Sequence, residues 1–246
     1  MAGNNAINNP INGFGYLLRG LRLLGKPGVK RYVIMPLLIN IVLFALLFWL
    51  AGDYFEQLVN HLLSLLPGWL EWLSKVLWLL FAILAGLIMF FTFSFIANLV
   101  GAPFNSFLAA AVEKHLTGTN PAGSERKLWA EFGVMMLSEL KKWGYYALWS
   151  IPLLIVSWFI APISPFLWFI FGAWMFSIEY LDYPMGNHGL NFSDIRKHIA
   201  SQRMLSLSFG SAVTIATMIP IFNFIVMPIA VAGATAMRVE RFPLEK

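Results

Sequence analysis

The chain has 246 residues, of which 59% are hydrophobic and only 12% are charged, and its net charge is +5 at pH 7. Because ordinary globular domains carry about 25% charged residues, this composition predicts an integral membrane protein, and the length suits a single membrane domain. The absence of cysteine excludes disulfides, thiolate metal sites and a cysteine nucleophile. The positive charge lies in short connectors beside apolar runs, which is typical of membrane topology signals and argues against a nucleic-acid partner.

Residues 1–31 are predicted to contain a cytoplasmic amphipathic helix. Asn9-Pro10 has the composition of a helix cap followed by a first turn. Apolar residues then recur at spacings of three and four, which indicates a single apolar stripe. The stripe consists of Ile11, Phe14, Leu17, Leu18, Leu21 and Leu24. With Arg19 and Arg22 beside it, this stripe favours a helix lying along the membrane surface.

Two uncharged runs predict the first membrane spans, at 32–52 and 76–100, since about 20 apolar residues cross a bilayer as a helix. Basic residues and no acid precede the first run, whereas residues 53–75 contain three acids and one lysine. The N-terminus is therefore predicted to be cytoplasmic, with 53–75 periplasmic.

The second apolar run continues past residue 100. Gly101-Ala102-Pro103 predicts a break in the helix, followed by an interfacial helix as far as Val112. Residues 101–142 are predicted to be cytoplasmic or interfacial, with an amphipathic helix that begins near Lys127.

Residues 143–178 form an uncharged run that is too long for one span and is followed and preceded by basic residues. Two prolines at 161–165 interrupt it, which predicts a helical hairpin with its tip at that break. A second run, 204–237, is interrupted at Pro220-Ile221-Phe222-Asn223. Its arms are too short for a core of about 30 Å, so this hairpin is predicted to be re-entrant.

The predicted fold is therefore an all-α integral membrane protein with two full transmembrane helices, two helical hairpins that are re-entrant or short-spanning, and amphipathic cytoplasmic helices. Residues 179–203 and the tail 238–246 are predicted to be cytoplasmic. In a six-span alternative, both hairpins cross the membrane fully, and both termini still lie on the cytoplasmic side. Broken helices at membrane depth need water or protein around them, which favours a channel or transporter and a homo-oligomer.

Gly20 to Lys26 matches the first seven positions of a phosphate-binding loop, but Pro27 stands where a hydroxyl is required, which excludes an ATPase loop. Glycine amides beside Arg22 and Lys26 are groups that bind an oxyanion such as sulfate or phosphate. In the alternative interpretation, which the residue pattern alone favours, these bases set topology and touch lipid headgroups.

Glu179, Asp182 and His188 gather two carboxylates and an imidazole at a predicted membrane boundary. They are candidates for gating or proton coupling, because polar groups near membrane depth are costly. The simpler interpretation is an ordered cytoplasmic turn held by hydrogen bonds. Their spacing matches no metal signature. No catalytic motif is found, so the sequence predicts neither an enzyme nor a cofactor.

Four segments resemble the CysZ sulfate permeases of bacterial inner membranes. They are GKPGVKRYVIMPLLIN (25–40), IANLVGAPFNSFLAAAVEKHLTG (96–118), LWFIFGAWMFSIEYLDYPMGNH (167–188) and TMIPIFNFIVMPIAVAGATAM (217–237). The resemblance implies sulfate import for cysteine synthesis, linked to protons, by an oligomer with two true spans and partly penetrating hairpins. It also implies a sulfate site at Gly20, Leu21 and Arg22. Where some members continue with a second basic residue, this chain has Leu23, which leaves the site with less charge.

Two hypotheses of function follow from these observations. In the first, the protein is a sulfate channel or proton-coupled transporter with a cytoplasmic anion site at Gly20, Leu21, Arg22 and Lys26, where Arg22 and neighbouring backbone amides hold the anion. In the second, it is a membrane scaffold or regulator that binds another transport protein and conducts nothing. Broken hairpins discriminate between them, because a non-conducting scaffold has no need of irregular backbone that faces water.

Overall fold

The computed structural model describes residues 11–64, 67, 74–121 and 128–243. Every regular element in these ranges is helical. The α-helices are α1 (Ile11–Leu24), α2 (Arg31–Ser64), α3 (Ser74–Thr117), α4 (Leu128–Phe159), α5 (Ser164–Gly186), α6 (Phe192–Ser201), α7 (Arg203–Thr217) and α8 (Pro220–Arg241). The prediction of an all-α protein is confirmed. By contacts within the chain, one compact unit comprises residues 1–33 and 105–246, and a second comprises residues 34–104. That the chain forms a single membrane domain, and where each segment enters and leaves the membrane, stay predictions.

Three stretches within the described ranges are long and apolar enough to cross a membrane: Arg31–Trp49, Val76–Phe93 and Ala161–Gly186. The first two coincide with the predicted spans. The third is the tip and second arm of the first hairpin, and it continues eight residues past the predicted end at 178. In the smaller unit, Phe44 packs edge-on against Phe93 at 5.0 Å between ring centroids, and most other large side chains are exposed. Exposed apolar side chains of this kind suit lipid as their solvent.

The first predicted hairpin is broken where its prolines lie. Helix α4 ends at Phe159, a 3₁₀ turn covers Ala161–Ile163, and α5 begins with Pro165 in its first turn. The amphipathic helix predicted from Lys127 and the first arm of this hairpin are one continuous helix, α4. Pro152 lies inside α4 without ending it, since membrane helices can satisfy the groups that a proline frees.

Two predicted breaks need correction. The break predicted at Gly101-Ala102-Pro103 is wrong, because α3 continues through Pro103 to Thr117 as one helix. The second hairpin is broken at Met218–Ile219, two residues before the predicted position. Ile219 is extended and Pro220 is the first residue of α8. The N–H of the first helical residue has no partner within the helix, so a proline at this position loses no hydrogen bond. Pro220 therefore starts the helix instead of interrupting it.

The larger unit has a core built from α1, α5, α7 and α8, with α6 and the end of α3 packed on it. Fully buried side chains from four helices fill the core, namely Leu108, Ile178, Leu181, Phe209 and Met237. Glycines allow the helices to approach each other closely. A Cβ on Gly210 of α7 would meet the backbone of Ala173 on α5. Small residues at such crossings are typical of membrane helices.

Helix α1 buries a different face from its predicted apolar stripe. Phe14, Leu18 and Leu21 of the stripe are exposed. The buried face carries Gly13, Tyr16, Gly20 and Leu23, and it packs against α7 and α8. Phe14, Leu18 and Leu21 are therefore free to contact a membrane surface, while Leu17 and Leu24 of the stripe pack against the core. Gly13 and Gly20, seven residues apart, position α1 on the core.

Candidate functional site

The exposed side of α1 carries a groove of about 520 Å³. It is lined by Gly15, Leu18, Arg19, Arg22, Leu23 and Lys26. These residues recur at spacings of three and four, so one face of α1 and the turn after it supply the whole lining. Arg22 and Lys26, two of the four residues predicted to bind an anion, share this groove.

The three basic side chains of the groove differ in their partners. Arg19 forms an ion pair with Glu240 in the last turn of α8, and Tyr16 donates a hydrogen bond of 2.9 Å to the same carboxylate. Arg22 and Lys26 are exposed and form no ion pair with any described residue. Their charges are therefore available to an anion that enters the groove.

Gly20 and Leu21, the other two predicted residues, do not line the groove. Gly20 is buried, and a Cβ at this position would meet the carbonyl oxygen of Ile229 and the backbone of Gly233 on α8. Its N–H lies in the interior of α1, where it serves the helical hydrogen bonds. Any contribution of Gly20 to anion binding is therefore indirect, through the close approach of α1 and α8.

Lys142 of α4 is surrounded by three carboxylates. Its Nζ lies 2.9 Å from Asp182 and 3.1 Å from Glu179, both on α5, and 2.9 Å from Glu139 one turn earlier on α4. Only 5% of Lys142 is exposed. These four residues, called the Lys142 cluster, join the two arms of the first hairpin at its base.

The carboxylates keep Lys142 charged in spite of its burial. Burial by itself would lower the pKa of Lys142, but the negative charges of Asp182 and Glu179 outweigh it and raise the pKa above the usual 10.5. A raised pKa stabilises the fold fully at pH values below 10.5, and this stabilisation is lost only as the pH rises through the pKa of the folded state. Lys142 therefore keeps its positive charge throughout the physiological range.

A second polar group lies where α3, α5 and α8 meet. Glu113 of α3 and Arg238 of α8 form an ion pair, and both residues are buried. His188, in the turn after α5, places its Nε2 atom 2.8 Å from Glu113 Oε1 and 2.6 Å from Arg238 Nη2. Glu113, His188 and Arg238 are called the Glu113 triad. Asn187 supports it by donating a hydrogen bond of 2.8 Å to the carbonyl oxygen of Ser106 on α3.

The structure separates the three residues predicted for gating or proton coupling. Glu179 and Asp182 contact Lys142, whereas His188 contacts Glu113 and Arg238. These three partners, Glu113, Lys142 and Arg238, are not predicted as site residues from the sequence, since single charges beside apolar runs are also typical of topology signals. The signal in the sequence is the position of Glu113, Lys142 and Arg238, each directly next to a long uncharged run.

Comparison with known proteins identifies the family. The family described as "Sulfate transporter CysZ/Etoposide-induced protein 2.4" matches residues 16–228. A protein described as "Sulfate transporter CysZ" from Pseudomonas fluorescens (strain Pf0-1) is 42% identical over 229 residues, which cover 92% of each chain. The chain belongs to the CysZ sulfate transporter family. This confirms the resemblance inferred from the four sequence segments.

The part of the chain that matches the CysZ family contains the Lys142 cluster, Glu113, His188 and the lining of the α1 groove except Gly15, while Gly15 and Arg238 lie outside it. Membership of a transporter family agrees with the prediction that the chain is not an enzyme. Within the described ranges, no three His, Asp or Glu side chains are grouped so as to hold a metal.

Replacing Lys142 with methionine is expected to lower the free energy of unfolding by about 2 kcal/mol, since three carboxylates then face each other without an ammonium group. The loss is moderate because the side chains of Glu139 and Glu179 are 47% and 36% exposed and can recover water. SDS-induced unfolding of the purified protein in mixed micelles measures it. The matched control is Lys141→Met, at the exposed neighbouring position, which should change the free energy by less than about 0.5 kcal/mol. Equal effects of the two substitutions would show that the cluster adds no stability.

Proposed function

We propose that the chain is a sulfate transporter that moves sulfate across the bacterial inner membrane into the cytoplasm, for assimilation and cysteine biosynthesis. The matching family and the name of the relative from Pseudomonas fluorescens support the substrate. The observation that carries the proposal in this chain is the groove of α1, where Arg22 and Lys26 present positive charges that no described carboxylate neutralises.

The chemistry of the groove suits sulfate, a doubly charged tetrahedral oxyanion. The planar guanidinium of Arg22 can donate two parallel hydrogen bonds to such an anion, and Lys26 adds a point charge beyond it. Leu23 is 5% exposed and packs into the core, so position 23 adds no charge here and Lys26 supplies the second one. Because Arg22 and Lys26 are exposed, water can replace the anion, which allows the rapid release that transport requires.

The proposed topology has two full spans, at 32–52 and 76–100, and two hairpins that return to the cytoplasm, with both termini cytoplasmic. Helix α7 has 15 residues and is about 22 Å long, which is less than a hydrocarbon core of about 30 Å. This supports a re-entrant second hairpin. The broken tips at Ile160 and Ile219 are exposed in the single chain. Lipid cannot satisfy irregular backbone, so copies of the chain in a homo-oligomer would cover it.

A proton gradient is the proposed driving force. The Lys142 cluster contains three carboxylates and one ammonium, so a proton would reduce its excess negative charge. Glu179 and Asp182 are the proposed carriers in this cluster, and His188 is the proposed proton-responsive group in the Glu113 triad.

Replacing Arg22 with alanine is expected to reduce sulfate uptake about tenfold at low sulfate concentration, because one charge-assisted interaction of about 1.4 kcal/mol or more is lost. Uptake of radiolabelled sulfate into liposomes that contain only this protein measures the effect. The matched control, Lys114→Ala, removes an equal charge from an exposed position on α3 and should leave uptake unchanged. Equal uptake by wild-type and Arg22→Ala protein would exclude the groove as the sulfate site.

The same liposomes test the mechanism. Uptake stimulated by an inward proton gradient supports coupled transport, and uptake indifferent to the gradient indicates a channel. If the folded protein takes up no sulfate at all, the transporter proposal fails and a scaffold becomes the better hypothesis.

A further inference from the structure

A groove of about 500 Å³ runs between α4 and α5, the two arms of the first hairpin. Its lining is mostly apolar and includes Trp143, Tyr146 and Ala147 of α4 and Trp168, Gly172 and Phe176 of α5. Within each helix these residues lie three or four positions apart, so one face of each arm forms one wall. A Cβ on Gly172 would meet nothing within 4 Å, which leaves the space above this glycine open. We call this space the hairpin groove.

The hairpin groove is about as deep as one leaflet of a bilayer and is narrower than a helix. Trp168, near the tip of the hairpin, and Phe176 lie eight residues apart on α5, which is about 12 Å of helix. Half of a hydrocarbon core of about 30 Å is about 15 Å. Spread over the length of the groove, its volume gives a mean cross-section of about 40 Å². This is about half the cross-section of an α-helix with its side chains, so the groove suits the acyl chain of a lipid better than a helix of a second copy.

Negative charge lies just beyond the outer end of the hairpin groove. Glu139 is one turn before Trp143 on α4, and Glu179 is one turn after Phe176 on α5. These spacings place both carboxylates on the groove side of their helices, and both remain partly exposed in the Lys142 cluster. Even when Asp182 is protonated, these two carboxylates outnumber the single ammonium group of the cluster. None of the described residues that line the groove is basic, so this end attracts a cationic group and repels an anionic one.

A hydroxyl group without a partner lies between the charged end and the apolar walls. Tyr146 is one turn beyond Lys142 on α4 and lines the hairpin groove. Its hydroxyl oxygen is buried and has no hydrogen-bond partner among the described residues. A phenol can donate to a phosphate or ester oxygen. In a phospholipid these oxygens lie between the headgroup amine and the acyl chains, which is the order in which the carboxylates, the hydroxyl and the apolar walls follow each other along the groove.

We propose that the hairpin groove binds one phospholipid with a primary amine in its headgroup, of the phosphatidylethanolamine class. The ammonium group pairs with Glu139 and Glu179, a phosphate or ester oxygen accepts from Tyr146, and an acyl chain fills the space above Gly172. A primary ammonium group has three N–H donors and can therefore bond to both carboxylates, whereas the quaternary ammonium of a choline headgroup has none. In the proposed topology, this lipid lies in the cytoplasmic leaflet. The inference does not depend on the transport of sulfate.

Native mass spectrometry of the purified protein in detergent tests the proposal, because it counts both the lipids and the chains in each complex. Phosphatidylethanolamine, phosphatidylcholine and phosphatidylglycerol with the same acyl chains are titrated separately. One phosphatidylethanolamine per chain is expected to bind about tenfold more tightly than either other lipid, since one charge-assisted hydrogen bond corresponds to about that factor or more. Glycerophosphoethanolamine, which has the headgroup without acyl chains, should not displace the bound lipid.

Three variants separate the parts of the site. Glu139→Gln with Glu179→Gln should bring the affinities for the three lipids to within about twofold of each other, and it leaves Lys142 paired with Asp182 at 2.9 Å. Tyr146→Phe should weaken binding of phosphatidylethanolamine about fivefold, which is the effect of one neutral hydrogen bond.

Gly172→Leu fills the groove and should weaken binding about tenfold or more, because the acyl chain loses its space. The matched control is Gly144→Leu on α4. Gly144 is outside the groove lining, and a Cβ there also meets nothing within 4 Å. This control should bind phosphatidylethanolamine as the wild type does.

Two results would overturn the headgroup assignment: equal affinity of the wild type for all three lipids, and an unchanged preference in the double glutamine variant. If the double variant does not fold, Tyr146→Phe and Gly172→Leu still decide, and unchanged binding in both overturns the site. A change in the number of chains per complex in Gly172→Leu, with lipid binding unchanged, would show that a second copy occupies the groove. If the wild type binds the lipid as expected but takes up no sulfate in liposomes, this proposal stands and the transporter proposal fails.

Discussion

Replacing Arg238 with methionine is expected to lower the free energy of unfolding by about 3 to 5 kcal/mol. The substitution leaves the carboxylate of Glu113 in the interior without its ion-pair partner, and Glu113 is only 5% exposed. Methionine retains much of the volume of the arginine stem, so the loss reports charge rather than a cavity. SDS-induced unfolding in mixed micelles measures the change.

A double substitution and a surface pair provide the controls for this result. In the double variant with Glu113→Gln, no buried charge is left unpaired, so much of the lost stability should return. Lys197→Met breaks the exposed ion pair with Asp194, where the lysine side chain is 74% exposed, and should cost less than about 1 kcal/mol. If Arg238→Met lowers the free energy of unfolding no more than Lys197→Met does, then water reaches Glu113 and the triad is not buried in solution.

Gly210→Ala is expected to destabilise the protein by about 3 kcal/mol, although alanine is the better helix former. The added methyl group would fall on the carbonyl of Ala173, with the hydroxyl of Ser177 beside it. Backbone atoms at a helix crossing cannot rotate away as a side chain can, so α5 and α7 must separate, and overpacking of this kind costs about 1 to 3 kcal/mol or more. The same unfolding measurement applies.

Gly172→Ala is the matched control for Gly210→Ala. Gly172 lies inside α5, and a Cβ at this position has nothing within 4 Å. Alanine should therefore stabilise the protein there, by up to about 1 kcal/mol, because it favours the helix more than glycine does. If both substitutions stabilised the protein, the close crossing of α5 and α7 would not exist in the folded state.

The location of the helices was largely predictable from the sequence, while their ends were predicted less well. Long uncharged runs and the prolines at 162 and 165 act over a few residues, so their effects can be read locally. The continuous passage of α3 through Pro103 could not be read in this way. Whether a proline breaks a helix depends on what its surroundings supply to the freed carbonyl, and the sequence of the segment does not contain that information.

The candidate sites were predicted only in part. Arg22 and Lys26 are predicted because basic residues beside glycines form a recognisable local pattern. Both line one groove, and their role in anion binding stays a prediction. Glu179, Asp182 and His188 were grouped because they lie within ten residues of each other. The structure divides them, since adjacent turns of a chain can face different helices.

Composition and the lengths of the apolar runs predict a helical membrane protein, and four segments resemble the CysZ family, since all of these are properties of short stretches of sequence. Which charges meet depends on how the helices pack. Glu113 and His188 are 75 positions apart, and His188 and Arg238 are 50 apart. The same holds for the buried face of α1, where Gly20 meets Gly233. A buried charge is energetically costly unless it is paired. Which group it pairs with depends on which helices pack together, and a local sequence pattern does not contain that information.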